Sequence, residues 1–260
     1  MLVAVRFELV RRWRPSTVFR VGVATAVLAA VASVLVVALA PDTAPDPTAV
    51  TAARLADVDG ATVAFRVLSS FAGLAVLVLV TVSVSTDAAR GTLRTTLLHH
   101  PGRAILFTAK LLATVLTFAA VLLAAEIVSW GASWAAARAN DIDTSAWITA
   151  QGLRATVADF GRVLAGTAAW TAIATAIGVV VPSTAVAVGA LLVWAGPFEH
   201  LVGEAWDTAR HWFPELLIET LVAGGTPDVG VVRAAALSAA YAIVAVAVAV
   251  AVFVRRDITT

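Results

Sequence analysis

The sequence predicts an all-α integral membrane protein with six transmembrane helices, on the evidence of its composition, its uncharged blocks and its basic residues. Of the 260 residues, 60% are hydrophobic and 13% are charged, whereas about 25% of the residues of a soluble domain are charged. The apolar residues fall in long blocks rather than in the period of an amphipathic helix or strand. Such blocks are typical of helices that cross lipid, and we predict one transmembrane domain over residues 1–260.

A helix needs about 20 apolar residues to cross a hydrocarbon core of about 30 Å, and several stretches of the sequence have this length. Pro182-Ser183 divides the uncharged run 163–198, which is too long for one span. The predicted spans cover residues 21–40, 67–86, 111–134, 163–181, 184–198 and 234–254. A long outer loop, residues 199–233, precedes the sixth span.

The basic residues predict the orientation, because Lys and Arg near span ends favour the cytoplasmic side. With the N-terminus inside, the cytoplasmic segments hold eleven of the 18 basic residues in 52 positions, and the outer segments hold seven in 86. We therefore expect a multi-pass protein of the plasma (inner) membrane with both termini in the cytoplasm. One Lys against 17 Arg resembles the coding bias of high-GC bacteria.

The N-terminal segment, residues 1–20, mixes apolar side chains with five arginines and includes Trp13. Amphipathic basic segments with Trp bind anionic lipid interfaces. We predict an interfacial helix that leads into the first span, and a topology signal alone is the alternative. Ala38-Leu39-Ala40 is similar to a signal-peptide cleavage site, but the preceding apolar run exceeds the usual length of about 7–15 residues, so we expect no cleavage.

The segment after the second span carries the most informative motif. Thr86 or Asp87 is predicted to cap a helix start and Pro101-Gly102 to stop the helix, which gives a short cytoplasmic helix over residues 87–100. Leucines on one side would hold this helix at the membrane face, and arginines on another would face the cytosol. These side chains are Leu93, Leu97 and Leu98, and Arg90 and Arg94.

The order and spacing of residues here resemble the pattern that follows the second span in type 2 ABC transporter permeases. That pattern consists of an acid, Gly-Thr-Leu, Leu-Leu, Pro, Arg and Lys, and the matching residues are Asp87, Gly91-Thr92-Leu93, Leu97-Leu98, Pro101, Arg103 and Lys110. The chain's end, residues 253–258, is similar to that family's exit from the last span. With the basic leader, the six spans and the long outer loop, the resemblance covers nearly the whole chain.

The resemblance implies an ABC-exporter permease that pairs with a second permease chain and with cytosolic ABC ATPase subunits. It also implies that residues 87–100 form the coupling helix that docks into the ATPase, with a contact set of Asp87, Arg90, Gly91, Thr92, Leu93, Arg94, Leu97, Pro101 and Arg103. The chain has no phosphate-binding loop, because Lys110 follows Ala109 rather than Gly. We therefore expect ATP and Mg²⁺ in the partner ATPase, membrane lipid around this chain, and no cofactor, metal or nucleic acid bound to it.

Two residues inside the spans are candidates for the substrate path. Glu126 lies about midway along the third span, where a charge costs about 2.5–3.5 kcal/mol. It either faces the substrate path or makes a structural hydrogen bond across helices. Trp170 in the fourth span either faces the substrate or packs against lipid and protein.

His200, Glu204, Asp207 and His211 would lie on one face if residues 198–213 were helical. They would offer four metal ligands, but we favour the wetted face of an outer amphipathic helix.

Two other classes of protein remain as alternatives. A six-span secondary transporter would need charged residues deep in several spans, and Glu126 is the one that qualifies. An intramembrane enzyme would need a nucleophile and a base that converge inside the spans, and the sequence offers no such set. An amphiphilic or apolar substrate is expected, but drug, lipid, peptide and polymer exporters share this architecture.

Overall fold

The computed structural model describes residues 5, 6, 8, 9, 15–43, 49–89 and 103–255, and within these ranges it contains helices and no strand. The α-helices are α1 Pro15–Ala38, α2 Ala52–Leu55, α3 Val63–Ala89, α4 Arg103–Ala139, α5 Ala150–Val180, α6 Thr184–Val193, α7 Glu199–Ala205, α8 Pro214–Ala223 and α9 Val231–Arg255. Short 3-10 helices lie at Gly60–Thr62, Ser145–Ile148 and Asp207–His211, and a π-helical turn, Trp194–Phe198, joins α6 to α7.

Six helical stretches of the described residues are long and apolar enough to cross a membrane. They are Arg20–Ala38, Gly60–Thr86, Ala104–Ala139, Ala150–Val180, Thr184–Ala205 and Val231–Arg255. Each coincides with one predicted span, so the prediction of six spans is confirmed at the level of helix length and composition. The chain is a multi-pass α-helical membrane protein.

Several helices extend past the charged residues at which the predicted spans stop. α5 begins at Ala150 rather than near Val163, and α4 begins at Arg103 and ends at Ala139. At 1.5 Å per residue α4 is about 55 Å long, well beyond a hydrocarbon core of about 30 Å. A charged side chain does not interrupt helical hydrogen bonding, so a helix continues wherever its charges reach water or a partner.

The break predicted at Pro182-Ser183 is present. α5 ends at Val180, and the Ser183 hydroxyl accepts a hydrogen bond from the Val186 N–H at 3.4 Å, which caps α6. Pro197 does not end the next span, because the π-helical turn accommodates the missing N–H and carries the chain on into α7. The fifth candidate span therefore extends to Ala205 rather than ending near residue 198.

The segment predicted as a long outer loop contains a further helix. Pro214 occupies the first turn of α8, and Gly224 ends the helix with a φ of 90°, in the left-handed region that favours glycine. Leu217 and Leu221 of α8 pack against Val229, just before α9, and against Ala234 in its first turn. The segment 199–233 is thus largely helical, and α8 within it packs against the last span.

The chain divides into two compact units, of which the first comprises Met1–Arg12, Ala72–Thr117 and Ala165–Thr260. In this unit Val5 packs against Ala109 and Ala113, near the start of α4. The ring of Phe107 in the same part of α4 lies 5.5 Å from that of Phe253, near the end of α9. The N-terminal segment, the start of α4 and the end of α9 therefore lie together, as a topology with these three segments on one side requires.

The second unit comprises Trp13–Phe71 and Phe118–Leu164, and its core forms around Trp147. The Trp147 side chain is fully buried, and its indole Nε1 donates a hydrogen bond to the Leu55 carbonyl at 2.9 Å. A Cβ atom at Gly60 would lie 1.9 Å from the same carbonyl oxygen and 2.7 Å from Nε1. Only glycine fits there, so this residue lets the loop before α3 close over the indole.

α5 is the most enclosed of the candidate spans in the described chain. In the most apolar 18-residue stretch of α5, 72% of the residues are buried, whereas the corresponding share in the other spans is 17–28%. The other spans expose large apolar side chains such as Leu28, Leu79 and Ile243, which lipid would cover in a membrane. Buried polar groups on α5 therefore face protein rather than lipid.

Candidate functional site

Most of the predicted ATPase-coupling segment lies outside the described residues. These outlying residues are Arg90, Gly91, Thr92, Leu93, Arg94, Leu97 and Pro101, and the C-terminal pattern beyond Arg255 lies outside as well. Asp87 belongs to the last turn of α3, and Arg103 is the first residue of α4. The prediction that Thr86 or Asp87 caps a new helix is wrong, because α3 continues without a break to Ala89.

A buried polar face runs along the C-terminal half of α4. Glu126, Ser129 and Ser133 are spaced at i, i+3 and i+7, which places them on one side of the helix. Their exposed fractions are 6%, 0% and 0%. We call these three residues the Glu126 face.

The Glu126 face has unused hydrogen-bonding capacity. The Ser129 hydroxyl lies 2.7 Å from that of Ser33 on α1 and makes a hydrogen bond across the two helices. Glu126 Oε1 and the Ser133 hydroxyl have no hydrogen-bond partner among the described residues. Unsatisfied buried polar groups are costly and are found mainly where a protein binds a solute, a proton or water. Glu126 therefore remains a candidate residue of the substrate path.

Trp170, the second candidate for the substrate path, packs inside the first unit. Its side chain is buried, and its Nε1 lies 2.9 Å from the position that a Cβ atom would occupy at Gly73 of α3. The same two helices approach closely further along, where the Thr81 and Ser85 hydroxyls donate to the carbonyls of Ala174 and Gly178 at 3.4 and 3.5 Å. Small residues and hydroxyls are typical of tight packing between membrane helices, and Trp170 belongs to this packing.

Asp159 is the centre of a charged cluster in the second unit that the sequence did not reveal. Its carboxylate is 1% exposed and lies 3.0 Å from Arg162 Nη2 and 3.6 Å from Arg66 Nε. The Thr62 hydroxyl donates a hydrogen bond to the same carboxylate. These contacts join the start of α3 to α5, so the charges that appeared to lie outside the fourth span are part of its packing.

Asp59 extends this cluster toward the surface. Its carboxylate pairs with Arg54 and lies 3.0 Å from Arg66 Nη2. Burial is the largest influence on Asp59 and would raise its pKa, but the hydrogen bond from Arg54 and the charges of Arg66 and Arg54 together lower the pKa below its ordinary value. Arg66 thus bridges two carboxylates, Asp59 and Asp159. We call Arg54, Asp59, Thr62, Arg66, Asp159 and Arg162 the Asp159 cluster.

One signal in the sequence could have indicated the Asp159 cluster. Asp159 and Arg162 are spaced at i, i+3, the spacing of an ion pair on one helical face. What the sequence lacks is any local sign that Arg66, about ninety positions earlier, meets the same carboxylate. That contact depends on how α3 and α5 pack.

The four residues considered as metal ligands do not share a helical face. α7 ends at Ala205, Trp206 is extended with φ −141° and ψ 96°, and a 3-10 helix follows. This break separates His200 and Glu204 from Asp207 and His211. Among the described residues, no group of three or more His, Cys, Asp or Glu side chains is arranged to hold a metal ion.

The fold and these groups define a class of protein, a multi-pass α-helical membrane protein with ionisable side chains buried among its helices. No known family model and no curated protein matches this chain. Any function more specific than this class must therefore be inferred from the residues themselves.

Proposed function

We propose that this chain is the permease subunit of an ATP-driven ABC exporter that moves an amphiphilic or apolar substrate out across the plasma membrane. Its partners in this proposal are a cytosolic ABC ATPase, which binds ATP and Mg²⁺, and a second permease chain. The observation that carries the proposal is the position of the motif at 87–110. This motif lies where α3 and α4, two candidate spans, adjoin the segment 90–102.

The helices beside this segment provide a mechanical route from an ATPase to the interior of the permease. α3 continues as a helix to Ala89 and α4 starts at Arg103, so force on the segment between them would act on two spans directly. α3 in turn packs tightly on α5 at Gly73, Thr81 and Ser85. A push from the ATPase would therefore reach α5, the most enclosed span, through a continuous series of contacts.

The Glu126 face is the part of the chain best suited to contact a polar group of the substrate. Its carboxyl oxygen and the Ser133 hydroxyl are buried and have no partner among the described residues. A polar or cationic headgroup of an amphiphile would supply the missing hydrogen bonds. The surrounding apolar side chains would contact its hydrocarbon part.

The coupling role of the segment is tested with Arg90→Glu combined with Arg94→Glu. We expect the double variant to insert into the membrane normally and to lose at least tenfold in ATP-dependent transport, because two contacts with the ATPase reverse their charge. Transport into inverted vesicles and ATPase activity of the purified complex measure the coupling.

The matched control for this experiment reverses two arginines elsewhere, Arg138→Glu combined with Arg154→Glu. Both side chains are exposed, and both lie in a predicted outer segment. This control should transport at the wild-type rate. Unchanged transport by the Arg90/Arg94 variant would contradict the docking role, and failure of any ATPase to co-purify with the wild-type chain would contradict the exporter itself.

A secondary transporter is the second candidate, and one observation favours it. The sequence offered Glu126 alone as a charge deep in a span, whereas the structure buries Asp159 and Glu199 in two further candidate spans. Buried carboxylates in several spans are typical of ion-coupled transport. Substrate uptake driven by a proton or sodium gradient into proteoliposomes that hold this chain alone would favour the transporter, and uptake only with ATP and an ATPase would favour the exporter.

A further inference from the structure

Three glutamates and a histidine meet where α7 and α8 pack together in the first unit. Glu199 and His200 begin α7, Glu215 lies in the first turn of α8, and Glu219 lies one turn later. Glu199 is fully buried and Glu215 is 5% exposed. Two buried carboxyl groups thus lie near each other, one in the last turns of the fifth candidate span and one in the segment that joins it to the sixth.

Glu199 binds the N-terminus of α8 from a neighbouring helix. Its Oε2 accepts hydrogen bonds from the backbone N–H groups of Glu215 at 2.8 Å and Leu216 at 3.3 Å. The residue before α8 is Phe213, whose side chain has no oxygen with which to cap the helix. One oxygen of Glu199 therefore satisfies the first N–H groups of α8, while its other oxygen, Oε1, has no hydrogen-bond partner among the described residues.

Glu215 also has a buried carboxylate oxygen that accepts no hydrogen bond from the described residues. This oxygen, Oε2, lies 4.0 Å from His200 Nδ1. That nitrogen is 2.9 Å from the Gly196 carbonyl, and Nε2 of the same ring is 3.2 Å from the half-exposed Glu219. The closest contacts of His200 are therefore with the Gly196 carbonyl and Glu219 rather than with Glu215. Among the described residues it is the one basic side chain within 4.0 Å of the Glu215 and Glu219 carboxylates.

The other charged groups on the elements that pack against α8 do not neutralise the pair. Arg233 of α9 lies over the Trp212 ring at 5.6 Å, and the Tyr241 hydroxyl donates to the Trp212 carbonyl at 2.6 Å. α5 contacts α8 at Gly166, in a stretch from 163 to 180 that holds no charged residue. The remaining groups, none of which makes an ion pair with Glu199 or Glu215, are Glu204, Asp207, Arg210 and His211.

We propose that Glu199 and Glu215 form a proton-binding site, in which one proton shared between the two carboxyl groups keeps α8 docked against α7. Two carboxylates in one enclosed site, without a strong counter-charge, cannot both remain ionised. A proton on one of them supplies an O–H donor and removes the repulsion between them. Such a site would operate whether or not the chain is a permease.

The titration of Glu215 supports this geometry. Burial, followed by the negative charges of Glu219 and Glu199, raises the pKa of Glu215 to about 8 from its ordinary value of 4.5. Because the folded state binds this proton more strongly than the unfolded state, it gains stability from the proton at low pH. That contribution is lost as the pH rises through about 8.

The test is infrared difference spectroscopy of the full-length chain in lipid nanodiscs, titrated from neutral to alkaline pH. The wild-type chain should show the carbonyl stretch of a protonated carboxylic acid, which disappears with a midpoint near pH 8. Glu215→Gln should remove this component, since the amide cannot titrate. Glu219→Gln should retain it, because Glu215 keeps its carboxyl group, with the midpoint moved to lower pH by the loss of the Glu219 charge.

Glu199→Gln provides a second, independent measurement. Its amide oxygen can still accept from the N–H groups of α8, but the negative charge beside Glu215 is gone, so the midpoint of the remaining band should move to lower pH. A band that persists unchanged in Glu215→Gln, or a midpoint that does not move in Glu199→Gln, would overturn the proposal. The absence of any titrating band from the wild-type protein would do the same.

Discussion

At Asp159, a carboxylate with 1% of its side chain exposed lies between Arg66 and Arg162 and accepts a hydrogen bond from Thr62. A lone carboxylate at such a position would be costly, since an uncompensated buried charge destabilises a protein by several kcal/mol. Each partner reduces this cost, and together they fix the start of α3 against α5. The pairing explains why α5 accommodates three charged residues in its first four turns.

Asp159→Asn should destabilise the protein by about 3 kcal/mol, because Arg66 and Arg162 would each lose a buried counter-charge. The measurement is chemical or thermal unfolding in detergent, followed by tryptophan fluorescence. Asp57→Asn is the matched control. Its side chain is 63% exposed and 3.5 Å from Arg54, and exposed pairs of this kind contribute less than about 1 kcal/mol. If the two substitutions lowered the free energy of unfolding equally, the buried ion pairs of Asp159 would contribute no more to stability than the exposed pair of Asp57.

Gly60→Ala should destabilise the second unit by about 1–3 kcal/mol, because the new methyl group would overlap the Leu55 carbonyl and the Trp147 indole. Gly131→Ala in α4 is the control, since a Cβ atom there meets no atom within 4 Å. Alanine is the better helix former by about 0.8–1.0 kcal/mol, so this control should be slightly stabilised. Unfolding midpoints of the two variants should therefore move in opposite directions.

Among the elements, α3 and α5 depend on small residues for their contact. The Trp170 indole occupies the space beside Gly73, and a Cβ atom at Gly178 would lie only 3.2–3.3 Å from Val84 and the Thr81 carbonyl. Larger residues at either glycine would separate the helices and break the two interhelical hydroxyl bonds. The contact also completes the proposed route from residues 90–102 to α5, so its disruption should affect coupling as well as stability.

Gly73→Leu should lower the unfolding midpoint and reduce transport per ATP hydrolysed, because α3 could no longer approach α5 at Trp170. Gly189→Leu in α6 is the control, since nothing lies within 4 Å of its Cβ position. The control should retain both properties. Loss of stability with intact coupling in Gly73→Leu would separate the packing role of this contact from its proposed mechanical role.

The sequence predicted the existence of the spans better than their limits. Uncharged blocks and Pro182-Ser183 indicated where the six stretches lie, because the cost of exposing backbone or charge to lipid acts locally. The start of α5 at Ala150 and the continuation through Pro197 could not be predicted in the same way. In the first case the buried charge of Asp159 is paired with Arg66, distant in sequence, and in the second a π-helical turn absorbs the proline, which the proline alone does not reveal.

The candidate sites differ in how far the sequence revealed them. Glu126 could be found because a single acid in an apolar block is conspicuous. Glu199 and Glu215 could not, since the first lies where a loop was expected and the second follows a break at Trp206. Their proximity is a property of the folded hairpin of α7 and α8. The coupling role of residues 87–100 stays a prediction.

For the molecule as a whole, the predicted topology can be tested directly because the chain contains no cysteine. Thr95→Cys and Ser145→Cys introduce one thiol each, on opposite sides of the membrane in the predicted arrangement. A membrane-impermeant maleimide added to intact cells should label Cys at position 145 and leave position 95 unlabelled until the membrane is opened. The reverse pattern would invert the topology and exclude docking of residues 87–100 to a cytosolic ATPase.

The burial of α5 predicts which positions of the chain tolerate substitution. The exposed sides of the other spans face fluid lipid. Substitutions among Leu, Val, Ile and Ala on those sides should therefore have little effect on stability. α5 meets a fixed protein surface on most sides, and a second membrane chain would find little of it available for assembly. A saturation library should therefore show residues 165–179 as the most restrictive stretch, with any subunit interface drawn from the peripheral helices.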